Sequence, residues 1–451
     1  MNCDLGRQYA IAACVCLGQF IFGLSTGWTA PILSKLQNLE ETPLDHIITD
    51  EQASWIVSIT FVGNLTGSYL AGYLSNAVGR KPCLFLGGVV FLLCFLIFGF
   101  SVHISMIYIG RIVAGLGCGI LFVTNLVYLG ELASTKIRGT LLTLTGLSST
   151  FGTLIVYSIG PFVSYSWTNW IAAILSALYM AGIYFVVPET AAYQVMAGNK
   201  EEAMATLTSL GRKGDIDEVL ATANEKPMSN FEQLSEMFTL KTNRKALFII
   251  IILNILQQAS GIMAMLSFVT IIFELTGSNM EAHISTIIIG VTQVFAASIA
   301  PILVDRSGRR ILLLVSTAAC SLSLVALGTY FYLYNTDHPV ADSIQWLSLV
   351  SLMLYFIAYF SGFGIIPNTF IGEMFTDNCR SFGSTFTVSI GWLFGFVIAT
   401  TFGYKLAAWG PAVIFWIYAG ACAFTFFFSA VFVPETKGKS FLEIQKMLGS
   451  S

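Results

Sequence analysis

Twelve stretches of this chain are each long and apolar enough to cross a lipid bilayer: residues 9–33, 53–75, 83–101, 105–129, 140–162, 168–187, 246–273, 284–304, 311–334, 344–371, 383–404 and 411–433. An α-helix rises about 1.5 Å per residue and a bilayer's hydrocarbon core is about 30 Å thick, so roughly twenty apolar residues make one crossing. A backbone inside lipid must satisfy its own hydrogen bonds, and a helix does so within one segment. The expected fold is therefore an all-α membrane protein with twelve transmembrane helices. Composition supports this, since 55% of the 451 residues are hydrophobic and only 10% are charged. A soluble domain carries about 25% charged residues. The net charge of −3 points to no nucleic-acid partner. Met1-Asn2-Cys3-Asp4 is polar, and no small-residue cleavage site follows the first apolar run, so no cleavable leader is expected. The nine cysteines fall mostly in apolar runs without the paired spacing of a zinc or redox site, so they read as packing residues, and no metal or cofactor is expected. The sequon Asn64-Leu65-Thr66 lies inside an apolar run and is expected to be unused.

The spans fall as six, a polar stretch, and six. This predicts an N-terminal bundle over 1–187, cytoplasmic linker helices over 188–245, a C-terminal bundle over 246–433 and a cytoplasmic tail over 434–451. Lys and Arg gather on one side of the predicted spans, at Arg80, Lys81, Lys136, Arg138, Arg306, Arg309, Arg310, Arg380 and Lys437. Inner loops carry this excess, so both termini are expected in the cytoplasm. In the linker, Asn199 with Glu202 fits a capping box and Gly211 a stop, and Asp215 with Glu218 repeats the start signal.

Charges recur with the same six-span interval. Asn76-Ala77-Val78-Gly79-Arg80-Lys81 follows span 2, and Asp305-Arg306-Ser307-Gly308-Arg309-Arg310 follows span 8. Gly130-Glu131 closes span 4 with Arg138 seven residues past the Glu, and Gly372-Glu373 closes span 10 with Arg380 at the same distance. Pro188-Glu189-Thr190 and Pro434-Glu435-Thr436 close spans 6 and 12. The chain thus reads as a duplicated six-helix unit, the organisation of secondary transporters. The positive-inside rule explains the basic residues but not the repeated acids, because Asp and Glu contribute little to topology. Carboxylates facing guanidinium groups can form bidentate pairs in a partly dry setting. Arg80, Arg111, Glu131, Arg138, Glu189, Asp305, Arg309, Glu373, Arg380 and Glu435 are accordingly expected to form a gating network that latches the halves together at the inner side. Arg111, the deepest charge, is expected to pair with Glu131 or Glu189.

The resemblance that these residues carry runs the length of the chain. Gly72-x3-Asn76-x2-Gly79-Arg80-Lys81, Gly110-Arg111, Glu131…Arg138-Gly139, Gln257-Gln258-x-Ser260-Gly261-Ile262, Asp305-Arg306-x-Gly308-Arg309-Arg310 and Pro434-Glu435-Thr436-Lys437-Gly438 resemble the sugar porter family of the major facilitator superfamily. Gly27-Trp28-Thr29-Ala30-Pro31 is similar to the insect facilitated trehalose and hexose transporters, and much of the rest resembles animal glucose facilitators. The resemblance implies two pseudo-symmetric six-helix bundles and no enzymatic chemistry.

A sugar needs neutral hydrogen-bond partners and an apolar platform, so polar residues inside spans are the candidates. The two amides of Gln257 and Gln258 in span 7 supply four donor hydrogens and two acceptor oxygens. Such amides also serve simply to join helices. The resemblance places both at the substrate, adds Phe22 and Thr26 in span 1, and gives Gln293 in span 8 a position normally held by a substrate-binding Asn. Trp392 lies in mid-span, where its ring can stack on a sugar. Span 10 is interrupted by Gly362-x-Gly364-Ile365-Ile366-Pro367, and broken helices are tolerated where backbone lines a cavity. Departures from the family include Met263 in place of Asn, Ser267 and Phe268 in place of tyrosines, Gly146 in place of a span 5 glutamine, and Asn368 in place of Trp after Pro367. The site is present but rewritten, which suits a disaccharide or another polyol.

Proton-coupled members of the family carry an Asp in span 1, where this chain reads Gly23-Leu24-Ser25-Thr26-Gly27. A facilitative uniporter of a hexose or trehalose is therefore expected, in the plasma membrane, functional as a monomer. The alternatives are a non-transporting sugar sensor, which resemblance associates with a longer tail, and a proton-coupled symporter. Gly115-Leu116-Gly117-Cys118-Gly119 lies in span 4 and is expected to permit close helix contact rather than to hold a nucleotide.

Overall fold

A computed structural model describes residues 3–134, 137–212, 214, 230–278, 280–439 and 441–450. Ten of its helices are long and apolar enough to cross a membrane. One of them, Gly383–Phe432, holds two spans, because Gly410 with φ 75° and ψ 165° breaks it immediately before Pro411. The helix Asp50–Ala77 supplies the remaining span; its Asn, Thr and Ser residues dilute its apolarity. The order is then span 1 (Cys3–Gly27 and Thr29–Leu36), span 2 (Asp50–Ala77), span 3 (Arg80–Gly99), span 4 (Ile104–Leu132), span 5 (Arg138–Ile159) and span 6 (Tyr165–Phe185). Span 7 (Lys241–Ala259 and Ile262–Glu274), span 8 (Ala282–Ser307), span 9 (Arg309–Asn335), span 10 (Trp346–Met374, interrupted) and the two spans within Asp377–Phe432 complete the order.

Contacts divide the chain into two compact units. The first takes Met1–Trp28, Lys35–Ile47 and Ile59–Pro227; the second takes Thr29–Ser34, Ile48–Ser58 and Met228–Ser451. Parts of the C-terminal end of span 1 and of the N-terminal end of span 2 thus belong to the second unit. There Ser34 Oγ donates to Glu274 at 2.5 Å, and the Gly403 N–H donates to Ser54 Oγ at 2.9 Å.

Small residues set the packing of the first unit. A Cβ on Gly63 would lie 2.2 Å from the Ile112 carbonyl oxygen, and one on Gly115 would lie 2.0 Å from that of Thr60. Gly67 and Gly119 repeat the arrangement one turn further on, so spans 2 and 4 touch backbone to backbone. The expectation for the Gly115–Gly119 run therefore holds.

Among the described linker residues, short helices form at Ala191–Met196, Lys200–Ser209 and Asn230–Thr239. Asn199 precedes the second, but its amide bonds the Glu202 side chain at 3.4 Å and caps no backbone N–H. That helix ends at Ser209, just before Gly211 with φ 70°. Asp215 and Glu218 lie outside the described residues.

Candidate functional site

In the first unit, span 3 starts abruptly. Gly79 precedes it with φ 116° and ψ 165°, a conformation reserved for glycine, and any Cβ there would lie 2.4 Å from Glu189 Oε2. The first N–H groups of a helix have no partner within it and carry partial positive charge. Glu189, a hundred residues away, accepts them: Arg80 N–H to Oε1 at 3.2 Å and Lys81 N–H to Oε2 at 3.1 Å. The Arg80 side chain turns to span 4, where Nε donates to both Glu131 oxygens at 3.2 and 3.1 Å and Nη2 to Oε1 at 2.9 Å. Its Nη1 donates to the Ser75 carbonyl at 3.1 Å, and the Tyr193 ring lies 5.4 Å from its guanidinium carbon. Arg212 from the linker donates to the carbonyls of Glu131 and Leu132 at 2.7 and 2.9 Å. Tyr193 and Arg212 carry no repeat partner in the sequence, so sequence reasoning missed them.

The second unit builds the same device. Span 9 starts after Gly308 at φ 87°, with Glu435 Oε2 2.8 Å from where a Cβ would stand. Glu435 accepts the Arg309 N–H at 3.0 Å and the Arg310 N–H at 3.1 Å. Arg309 Nε donates to Glu373 Oε1 at 3.1 Å, and the Thr436 hydroxyl donates to Glu373 Oε2 at 2.5 Å. The Lys437 N–H folds back to Glu435 Oε1 at 2.9 Å. So the recurring Gly-Arg, Glu and Pro-Glu-Thr elements meet in space twice, once per unit.

Their carboxyl groups shift in opposite directions. Burial pushes the Glu189 carboxyl up from its ordinary value, outweighing the N–H groups of Thr190, Lys81 and Arg80 and the Arg80 charge. Burial also acts against ionised Glu435, but there the N–H groups of Lys437, Arg309, Arg310 and Thr436 prevail and hold it below the ordinary value.

Among the described side chains, Arg80, Glu131 and Glu189 pair inside the first unit, and Arg309, Glu373 and Glu435 inside the second. One expectation is corrected: Arg111 reaches neither Glu131 nor Glu189. It shares span 4 with Glu131, twenty residues and so about 30 Å away along the helix. Its Nη1 donates to the Ser25 carbonyl at 3.2 Å, and its guanidinium carbon lies 5.5 Å from the Trp28 ring. The side chains of Arg138, Asp305 and Arg380 lie outside the described residues.

The polar candidates divide between the units. In the first, Phe22 rests 6.2 Å from Phe122, and the Thr26 hydroxyl donates to the Phe22 carbonyl at 2.9 Å. In the second, Gln257, Gln258 and Gln293 are all buried, Trp392 is half-buried, and Asn368 is exposed just past the interruption of span 10. Gln257 Nε2 donates to the carbonyls of Phe363 and Gly364 at 3.0 and 3.2 Å, so its donors serve span 10. Gln258 Oε1 and Gln293 Nε2, by contrast, are buried atoms without a hydrogen-bond partner. A buried polar atom left unpaired is costly.

The family model for sugar (and other) transporters matches residues 11–448. The chain is 33% identical to the facilitated trehalose transporter Tret1 of Polypedilum vanderplanki over 448 residues, covering 98% of this chain and 88% of that protein. It is 32% identical to the facilitated trehalose transporter Tret1 of Anopheles gambiae, covering 98% of this chain but only 56% of that longer protein. The inward-open structure of the xylose transporter XylE from E. coli superposes with a TM-score of 0.81 at 22% identity, covering 98% of this chain and 99% of that one, which shows the fold. With the duplicated carboxylate sites and the full-length match, the chain belongs to the family of sugar (and other) transporters.

Proposed function

We propose that this chain is a facilitative carrier that moves a sugar such as a hexose or trehalose across the plasma membrane by alternating access, with both termini cytoplasmic and the monomer as the functional unit. The observation that carries the reading is the pair of unsatisfied amide atoms on Gln258 and Gln293, an acceptor and a donor held inside apolar spans of the second unit. One acceptor and one donor suit sugar hydroxyls. The similarity to the facilitated trehalose transporters Tret1 supports trehalose as the first sugar to test.

Uniport is favoured at Ser25. Its side chain is buried beside Arg111, whose guanidinium takes the Ser25 backbone carbonyl, so a hydroxyl stands where proton-coupled members carry a titrating carboxylate. Phe22, Thr26, Trp392 and Asn368 complete the proposed substrate contacts. The inner clusters, with Arg138, Asp305 and Arg380, serve the inner gate by fixing the ends of the helices that move.

Uptake of labelled glucose, fructose and trehalose into liposomes tests the reading, with Gln258→Ala as control. Saturable uptake of one sugar, with its half-saturation concentration raised about tenfold in Gln258→Ala, is expected from the loss of a buried hydrogen bond or two. No saturable uptake of any sugar would overturn it.

A further inference from the structure

The breaks in spans 7 and 10 satisfy each other's backbone. In span 7 the helix stops at Ala259, Gly261 adopts φ 80°, and a new helix starts at Ile262. In span 10 the helix Trp346–Ala358 widens over Tyr359–Phe363, where the Gly364 N–H donates to the Tyr359 carbonyl at 2.7 Å, five residues back. The next helix, Ile366–Met374, has Pro367 in its first turn. Pro367 stands four residues after Phe363 and has no N–H, so the Phe363 carbonyl lacks the donor an α-helix would supply. An unpaired carbonyl at this depth is costly.

Gln257 supplies the missing donor. Its Nε2 reaches Phe363 O at 3.0 Å, in the place of the absent proline N–H, and Gly364 O at 3.2 Å. The reverse contact also exists. Tyr355, fully buried one turn before the widened segment, donates its hydroxyl to the Ser260 carbonyl at 3.2 Å, at the break in span 7. The Ser260 hydroxyl lies 3.3 Å from the same Tyr355 oxygen. Each break is thus capped by a side chain of the other span.

We propose that Gln257 and Tyr355 are positioning residues that lock the two breaks into one hinge, so that the half-helices Ile262–Glu274 and Ile366–Met374 move together during transport. Gln257 then offers a sugar its Oε1 alone. The inference rests on the transport reading for its functional consequence, but the hinge itself exists without sugar. The Tyr355 hydroxyl acts only on backbone and on Ser260, so it affects the rate of the conformational step and not the affinity for substrate.

The test uses full-length protein in proteoliposomes, with Gly372→Cys on the half-helix Ile366–Met374 as reporter. The Cβ there meets open space, and its maleimide labelling is measured above that of the parent. Without sugar, Tyr355→Phe should raise the labelling rate about fivefold and Gln257→Glu about tenfold, the scale of one and two hydrogen bonds lost. Because both bridges hold one hinge, the double variant should label no faster than about the Gln257→Glu single variant. Among transported sugars, Tyr355→Phe should lower the maximal rate and leave the half-saturation concentration unchanged. Parent-like labelling in Tyr355→Phe, or single effects that multiply in the double variant, would overturn the coupling. Because labelling is read without sugar, a failure of the sugar reading alone leaves these outcomes intact.

Discussion

Glu189 and Glu435 occupy equivalent places in two copies of one bundle, and their carboxyl groups shift in opposite directions. Both accept the first two N–H groups of a span, and both stand against a glycine held at positive φ. The difference begins in the residues just after each Pro-Glu-Thr. After Glu435 the chain reads Thr436-Lys437-Gly438; Gly438 takes φ 68°, and the Lys437 N–H turns back onto the carboxylate. After Glu189 it reads Thr190-Ala191-Ala192-Tyr193, and Thr190 instead caps a helix, Ala191–Met196, whose Tyr193 ring covers Arg80. One copy gains a donor, and the other gains a lid. A shared hydrogen-bond pattern therefore does not fix the direction in which a carboxyl shifts; burial and the additional N–H donors decide it.

The largest expected difference between the copies is at the arginines. Arg80 and Glu131 side chains are 6% and 21% exposed, against 18% and 24% for Arg309 and Glu373. Arg80→Ala leaves a more deeply buried carboxylate uncompensated and should cost about 3 kcal/mol in denaturant unfolding of the detergent-solubilised protein. Arg309→Ala should cost visibly less, and equal losses would erase the contrast. Next come the glycines. Gly79→Ala and Gly308→Ala each force a side chain into positive φ, at about 1–2 kcal/mol. The loss should be greater at Gly79, where the carboxylate oxygen is nearer.

The smallest effects, and the sharpest, are in pH. Glu435 is held below its ordinary value, so its contribution to stability is present above that value and lost as pH falls through the folded one. The melting temperature lost in Glu435→Gln should therefore grow from about pH 4 to about pH 7. Glu189 is pushed up, so its contribution is fully present below its ordinary value and is lost as pH rises. Glu189→Gln should lose less, or gain, over the same range. Parallel pH curves for the two variants would contradict the comparison.

The spans and the duplication were legible because apolar length and recurring Gly-Arg, Glu and Pro-Glu-Thr elements are local signals. Even the break at Gly410 falls in the gap between the spans predicted at 383–404 and 411–433. Pairings across the fold were less legible. Charge matches Arg111 to Glu131 or Glu189, although the separation of Arg111 from Glu131 along one helix already forbids the first contact. Tyr193 and Arg212 act from a linker whose sequence has no counterpart in the other half. Gln257 read as a sugar donor because an amide inside a span suits either a ligand or a backbone. The signal that separates the two was Pro367, which removes one N–H and so names the carbonyl that needs a donor.

The central claim is equilibrative sugar transport with no proton coupling at Ser25. It is tested most directly by trehalose uptake into proteoliposomes with and without an inward proton gradient. The account predicts saturable entry that stops at equal concentrations on both sides, whatever the gradient. Accumulation above the external concentration when the outside is acidified would contradict it.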